Sequence, residues 1–171
     1  MALVKTVGPV GALLAGLGLA LLLGCGEVGD GLGTEGREAA PSFSLASLTG
    51  GDVTLESLGG RPAIIDFWAT WCAPCIRQIP VLNALQDRNE GRVSVVGIAV
   101  DASGAEVVAP FADEHGIDYT VLIGDEGLAQ RFGALGFPTL FVLDPTGGIV
   151  ESHVGVASLE ELEEALERAG G

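Results

Sequence analysis

Basic residues are scarce in this chain: seven arginines and a single lysine, Lys5, stand against 23 aspartates and glutamates, for a net charge of −15. A nucleic-acid backbone needs a clustered basic surface, which this composition does not supply, so nucleic acid is argued against as a partner. Two histidines and three cysteines are too few ligands for a multi-metal protein. No internal repeat is visible, and 27 glycines argue against a long-helix or coiled-coil protein. What is present is apolar: 48% of the 171 residues are hydrophobic against 18% charged, enough for one folded domain with a real core. The excess of acid favours solubility and carries no information about fold.

The longest apolar run lies at the N-terminus. Val7 to Leu23 is uncharged and follows Lys5, the layout of a secretory signal. It ends in Leu22-Leu23-Gly24-Cys25, which resembles the lipobox of bacterial lipoproteins, where cleavage before the cysteine leaves a thiol that carries lipid. The alternative is a short uncleaved membrane anchor, slightly under the roughly 20 apolar residues that span a bilayer. Either reading exports the rest of the chain. The resemblance implies a signal peptide over 1–24 and lipidation of Cys25, a lipid anchor in a bacterial membrane. Residues 25–40, rich in glycine and acid, then read as a flexible tether, and 41–171 as the folded domain. Lipidation of Cys25 would also account for the odd cysteine and leave Cys72 and Cys75 as a pair.

Within 41–171, Phe43 to Leu48 and Val53 to Leu55 flank Gly50-Gly51-Asp52 and predict a small antiparallel flap. Ala63 to Trp68 is almost continuously apolar around Asp66, the pattern of a central strand covered on both faces. Cys72 to Arg88 places Ile76, Ile79, Leu82 and Leu85 at helical spacing, with Pro80 expected to kink the helix. Strands follow at 93–100, 119–123, 139–143 and 149–154, with helices at 105–114 and 128–132. Ser158 and Glu161 form a capping box for a final helix whose apolar stripe is Leu159, Leu162 and Leu166. Alternating strands and helices that finish with a hairpin and a helix predict an α/β fold with a mixed sheet and helices on both faces.

A Cys-x-x-Cys pair suits either zinc or redox chemistry. Zinc wants about four ligands, and His115 and His153 sit at no recognisable ligand spacing from Cys72 and Cys75, so redox chemistry is the better fit and no metal or other cofactor is expected. At a strand-to-helix junction, Cys72 takes the helix N-terminus, where the dipole and free amides favour a thiolate, and Cys75 lies one turn further in and keeps its proton. One thiol attacks and the other resolves.

The segment Ile65-Asp66-Phe67-Trp68-Ala69-Thr70-Trp71-Cys72-Ala73-Pro74-Cys75 resembles the active-site segment of thioredoxin-fold proteins, with Pro80 at their kinking proline. Gly136-Phe137-Pro138-Thr139 resembles their cis-proline loop. With the flap, the extra helix after Val100 and the exported terminus, residues 41–171 look most like the TlpA/ResA-like thiol-disulfide oxidoreductases of the wider AhpC/TSA group. The resemblance implies a thioredoxin-like three-layer fold with an N-terminal β-hairpin and an inserted helix, a cis Phe137–Pro138 bond, and substrate contacts from Trp71, Ala73, Pro74, Phe137 and Pro138. It implies a disulfide-containing client protein and a membrane thiol carrier as electron donor. ResA-type reductases carry glutamate and asparagine where this chain has Gln78 and Asp66. Asp66 instead matches the buried aspartate of thioredoxin, the proton acceptor for the resolving thiol, and the link to cytochrome c maturation is weaker for that reason.

The leading expectation is therefore an exported, membrane-tethered enzyme that reduces disulfides of envelope proteins. Two others compete: a thiol peroxidase of AhpC/TSA type and a redox-responsive binding module without turnover. Thr70 lies only two residues before Cys72, unlike the peroxidatic threonine of peroxiredoxins, three residues before its cysteine.

Overall fold

The computed structural model describes residues 36–170. Two sheets form. Strands β1 (Ser44–Ala46) and β2 (Asp52–Thr54) make the expected hairpin. Leu55 does not extend it: Thr54 and Ser57 cap one another and start a short helix, α1 (Leu55–Leu58).

The main sheet has five strands in the order β5-β4-β3-β6-β7. At its centre is β3 (Ala63–Trp68), buried at every position, parallel to β4 (Ser94–Ala99) and antiparallel to β6 (Thr139–Leu143). Outside them run β5 (Thr120–Ile123), parallel to β4, and β7 (Ile149–Val154), antiparallel to β6. The continuous apolar run of β3 follows from this placement, because a central strand has no solvent face. Both edges are partly covered: Leu48 donates to the carbonyl of Val121 beside β5, and the N–H of Ile149 at the start of β7 donates to Glu38.

Helix α2 (Ala73–Arg88) crosses from β3 to β4, α3 (Ala105–His115) from β4 to β5, α4 (Glu126–Phe132) precedes β6, and α5 (Leu159–Arg168) follows β7. Side chains alternate along β3. Trp68 packs on Phe111 of α3, whereas Phe67 packs on Phe132 of α4 and Phe141 of β6, so the layers lie on opposite faces. The inward face of α2 is Cys75, Gln78, Ile79, Leu82 and Leu85, while Ile76, expected inside, is 38% exposed. Ser158 and Glu161 form the expected capping box.

Residues 37–40, read from composition as tether, are bonded to the domain. Ala40 donates to Gly147, and Arg37 pairs with Asp144 at 3.0 Å. Asp144 is buried, which alone would raise its pKa, but hydrogen bonds from Thr146, Gly148 and Arg37 outweigh burial and lower it to about 2. Residues 1–24, most of the expected tether and Cys25 lie outside the described residues. Among the described residues no helix is long and apolar enough to cross a membrane.

Candidate active site

Cys72 is the N-cap of α2, with extended backbone and its Sγ accepting the N–H of Cys75 at 3.3 Å. Ala73 and Pro74 form the first helical positions, where proline costs nothing because its missing N–H would have no partner in the helix. Cys72 and Cys75 are joined by a disulfide with S–S 2.06 Å and are 5% and 2% exposed. The expected helix-start position of Cys72 is therefore present.

The Phe137–Pro138 bond is cis. Its loop meets the disulfide segment through an edge-on ring contact between Phe137 and Trp71, centroids 5.8 Å apart. Trp71 is 65% exposed at the rim of the site, whereas Trp68 is buried in the core. Pro138 is buried, and its carbonyl accepts the N–H of Gly155, which ties the loop to the end of β7.

Asp66 is fully buried on β3, and desolvation raises its pKa to about 8. Among the described residues its Oδ1 has no hydrogen-bond partner, and neither does Nε1 of Trp68 two residues on, which alternation puts on the same face. Opposite Asp66 on β4 is Gly97, over which the rings of Trp68 and Tyr119 close: a Cβ there would stand 2.8 Å from each. Tyr119 is buried as well, and burial together with the negative field of Asp66 raises its phenol pKa.

Two polar residues hold this site in ways the sequence did not announce: Asp101, which it did not single out, and Gln78, which it marked only as a departure from ResA-type reductases. Asp101, just beyond β4, accepts the backbone N–H of Thr70 at 3.1 Å and its hydroxyl at 2.5 Å, pinning the turn that leads into Cys72. Gln78, fully buried on α2, receives the N–H of Ala157 at 2.8 Å and donates to the carbonyl of the same residue at 3.3 Å. Both amide atoms are thus committed to backbone. The sequence signals for Gln78 were its place on the inward face of an otherwise apolar helix and its departure from the glutamate of ResA-type reductases, and neither pointed to Ala157.

Comparison with known proteins decides the family: the AhpC/TSA sequence profile matches residues 37–152. The chain belongs to the AhpC/TSA family. It is 33% identical over 140 residues to the thioredoxin-like protein YneN of Bacillus subtilis, covering 80% of this chain and 81% of that one. Identity to the thiol-disulfide oxidoreductase ResA of Bacillus thuringiensis is also 33%, over 78% of this chain and 77% of ResA. The crystal structure of a thiol:disulfide interchange protein of the thioredoxin family from Chlorobium tepidum superposes with a TM-score of 0.68 at 32% identity, covering 79% of this chain and 97% of that one. The fold is thioredoxin-like and, with its cysteine pair, this AhpC/TSA member is a thiol-disulfide oxidoreductase.

Proposed function

We propose that the protein is exported, held to a bacterial membrane by lipid on Cys25, and reduces disulfides of envelope proteins by cycling Cys72 and Cys75 between dithiol and disulfide. The observation that carries this reading is Cys72 at the N-cap of α2, its sulfur already accepting a helix N–H. A thiolate there is stabilised by the amide and by the dipole. The Cys72 thiolate attacks one sulfur of a client disulfide, forms a mixed disulfide and expels the other client sulfur as a thiolate. Cys75 then gives its proton to Asp66 and attacks Sγ of Cys72. The Cys72–Cys75 bond forms, the client leaves fully reduced, and two electrons have passed from enzyme to client.

Asp66 suits the acceptor role because burial brings its pKa to about 8, close to that of a thiol. Trp71, Ala73, Pro74 and Phe137 form the client contact surface, and the buried cis Pro138 holds the Phe137 loop beside it. The reductive direction is supported by Ala73-Pro74, which adds neither charge nor imidazole beside Cys72, so its thiolate is not stabilised as strongly as in a potent oxidase. Electrons return from a membrane thiol carrier.

A Cys75→Ser protein should accumulate clients as mixed disulfides through Cys72 that dithiothreitol releases; adducts absent there and formed instead through Cys75 in Cys72→Ser would reverse the assignment. Mass spectrometry of the mature N-terminus should find lipidated Cys25. An intact Met1–Gly24 segment would overturn the anchor.

A further inference from the structure

Helix α4 and the loop carrying Pro138 enclose an open groove of about 320 Å³, lined by Glu126, Ala129, Gln130, Ala134, Leu135 and Phe137. Most of its lining is apolar: Ala129 and Ala134 are buried, and Leu135 is a leucine left 95% exposed. Phe137 also lines the groove, and its ring meets Trp71 beside the disulfide. Glu126 is the one charged residue of the lining, and it forms no ion pair among the described residues.

We infer that this groove receives a lysine or arginine side chain of the client, close in sequence to the cysteine under attack; the inference rests on the reductase reading above. An apolar stem ending in a cation matches a mostly apolar lining that carries a single carboxylate. A leucine would fill the walls and leave Glu126 partly desolvated and unpaired. A glutamate would be repelled. The position relative to the client cysteine follows from adjacency: Phe137, which lines the groove, packs on Trp71, the residue before Cys72, so a client segment held at the disulfide passes close to the groove. The overall charge of −15 acts in the same direction at longer range and draws basic segments toward the enzyme.

The test uses disulfide-closed peptides carrying Lys, Leu or Glu at each of the three positions on either side of the reacting cysteine, reduced by the dithiol form of the protein. At one position, kcat/KM should be about threefold to fivefold higher for Lys than for Leu at low salt, the scale of an exposed ion pair, and lowest for Glu. The Lys advantage should fade at high salt and fall to about one in Glu126→Gln, while Leu135→Ser should lower kcat/KM for both the Lys and the Leu peptides. Equal rates for all three residues at every position, or a Lys advantage that survives Glu126→Gln, would overturn the inference and leave the reductase reading intact. Reduction of none of the peptides by the wild-type dithiol would remove both.

Discussion

A carboxyl group on a central strand must be neutral, paired or costly, and Asp66 has no partner at Oδ1 among the described residues. With its pKa raised to about 8 from an ordinary 3.8, the folded protein holds a proton that the unfolded chain releases. Stability contributed by that proton is fully present below about pH 4 and is lost as pH rises toward about 8. Denaturant midpoints of the oxidised protein should therefore fall between these limits, and Asp66→Asn should remove the slope, be more stable near neutral pH and release mixed disulfides more slowly. A variant with unchanged slope and turnover would mean that Asp66 neither titrates there nor accepts the proton. Gly97 is fixed by the same cluster. Gly97→Ala forces a methyl against two buried rings and should cost about 1–3 kcal/mol in chemical denaturation. The burial of Asp66 was legible from its apolar neighbours. The roles of Asp101 and Gln78 were not, because their partners lie 31 and 79 positions away and nothing local announces them.

At the scale of elements, periodicity located β3, α2 and α5 because each has one dominant pattern: continuous burial, a helical stripe, a capping box. It misplaced Ile76 because apolar spacing alone does not say which flank of a stripe meets the sheet, and the inward position went to Gln78, whose amide could pair with backbone. That pairing locks α2 to the segment before α5. Gln78→Leu keeps the volume and leaves the N–H and carbonyl of Ala157 unpaired, so it should lower unfolding stability by about 2 kcal/mol, measured by urea denaturation. Leu55 failed as a strand residue for a local reason: the reciprocal bonds of Thr54 and Ser57 commit the chain to a helical turn.

For the whole molecule, fold class and family followed from two short segments, 65–75 and 136–139, that stand far apart in sequence and meet through Trp71 and Phe137. The start of the domain was harder to see. Residues 37–40 have the composition of a tether, yet their backbone and Arg37 bind the β6–β7 turn. A chain beginning at Pro41 should be less stable than one beginning at Gly36 by about 2–3 kcal/mol, from two backbone hydrogen bonds and the Arg37–Asp144 pair, as measured by thermal unfolding. Equal stability would show that these bonds form without benefit.

The N-terminal strap meets the sheet at the Asp144 end of β6, whereas Pro138 lies at the opposite end, and β3 likewise runs from Ala63 beside Leu143 to Trp68 just before the disulfide segment. The root of the domain and its reactive tip are thus separated by the length of the central strands, roughly 17 Å for five residues. Whatever grips the chain upstream of Arg37 holds it by the heel. An attachment made through residues upstream of Arg37 therefore enters the domain at the end away from its sulfurs, and leaves the reactive tip clear of the point of entry.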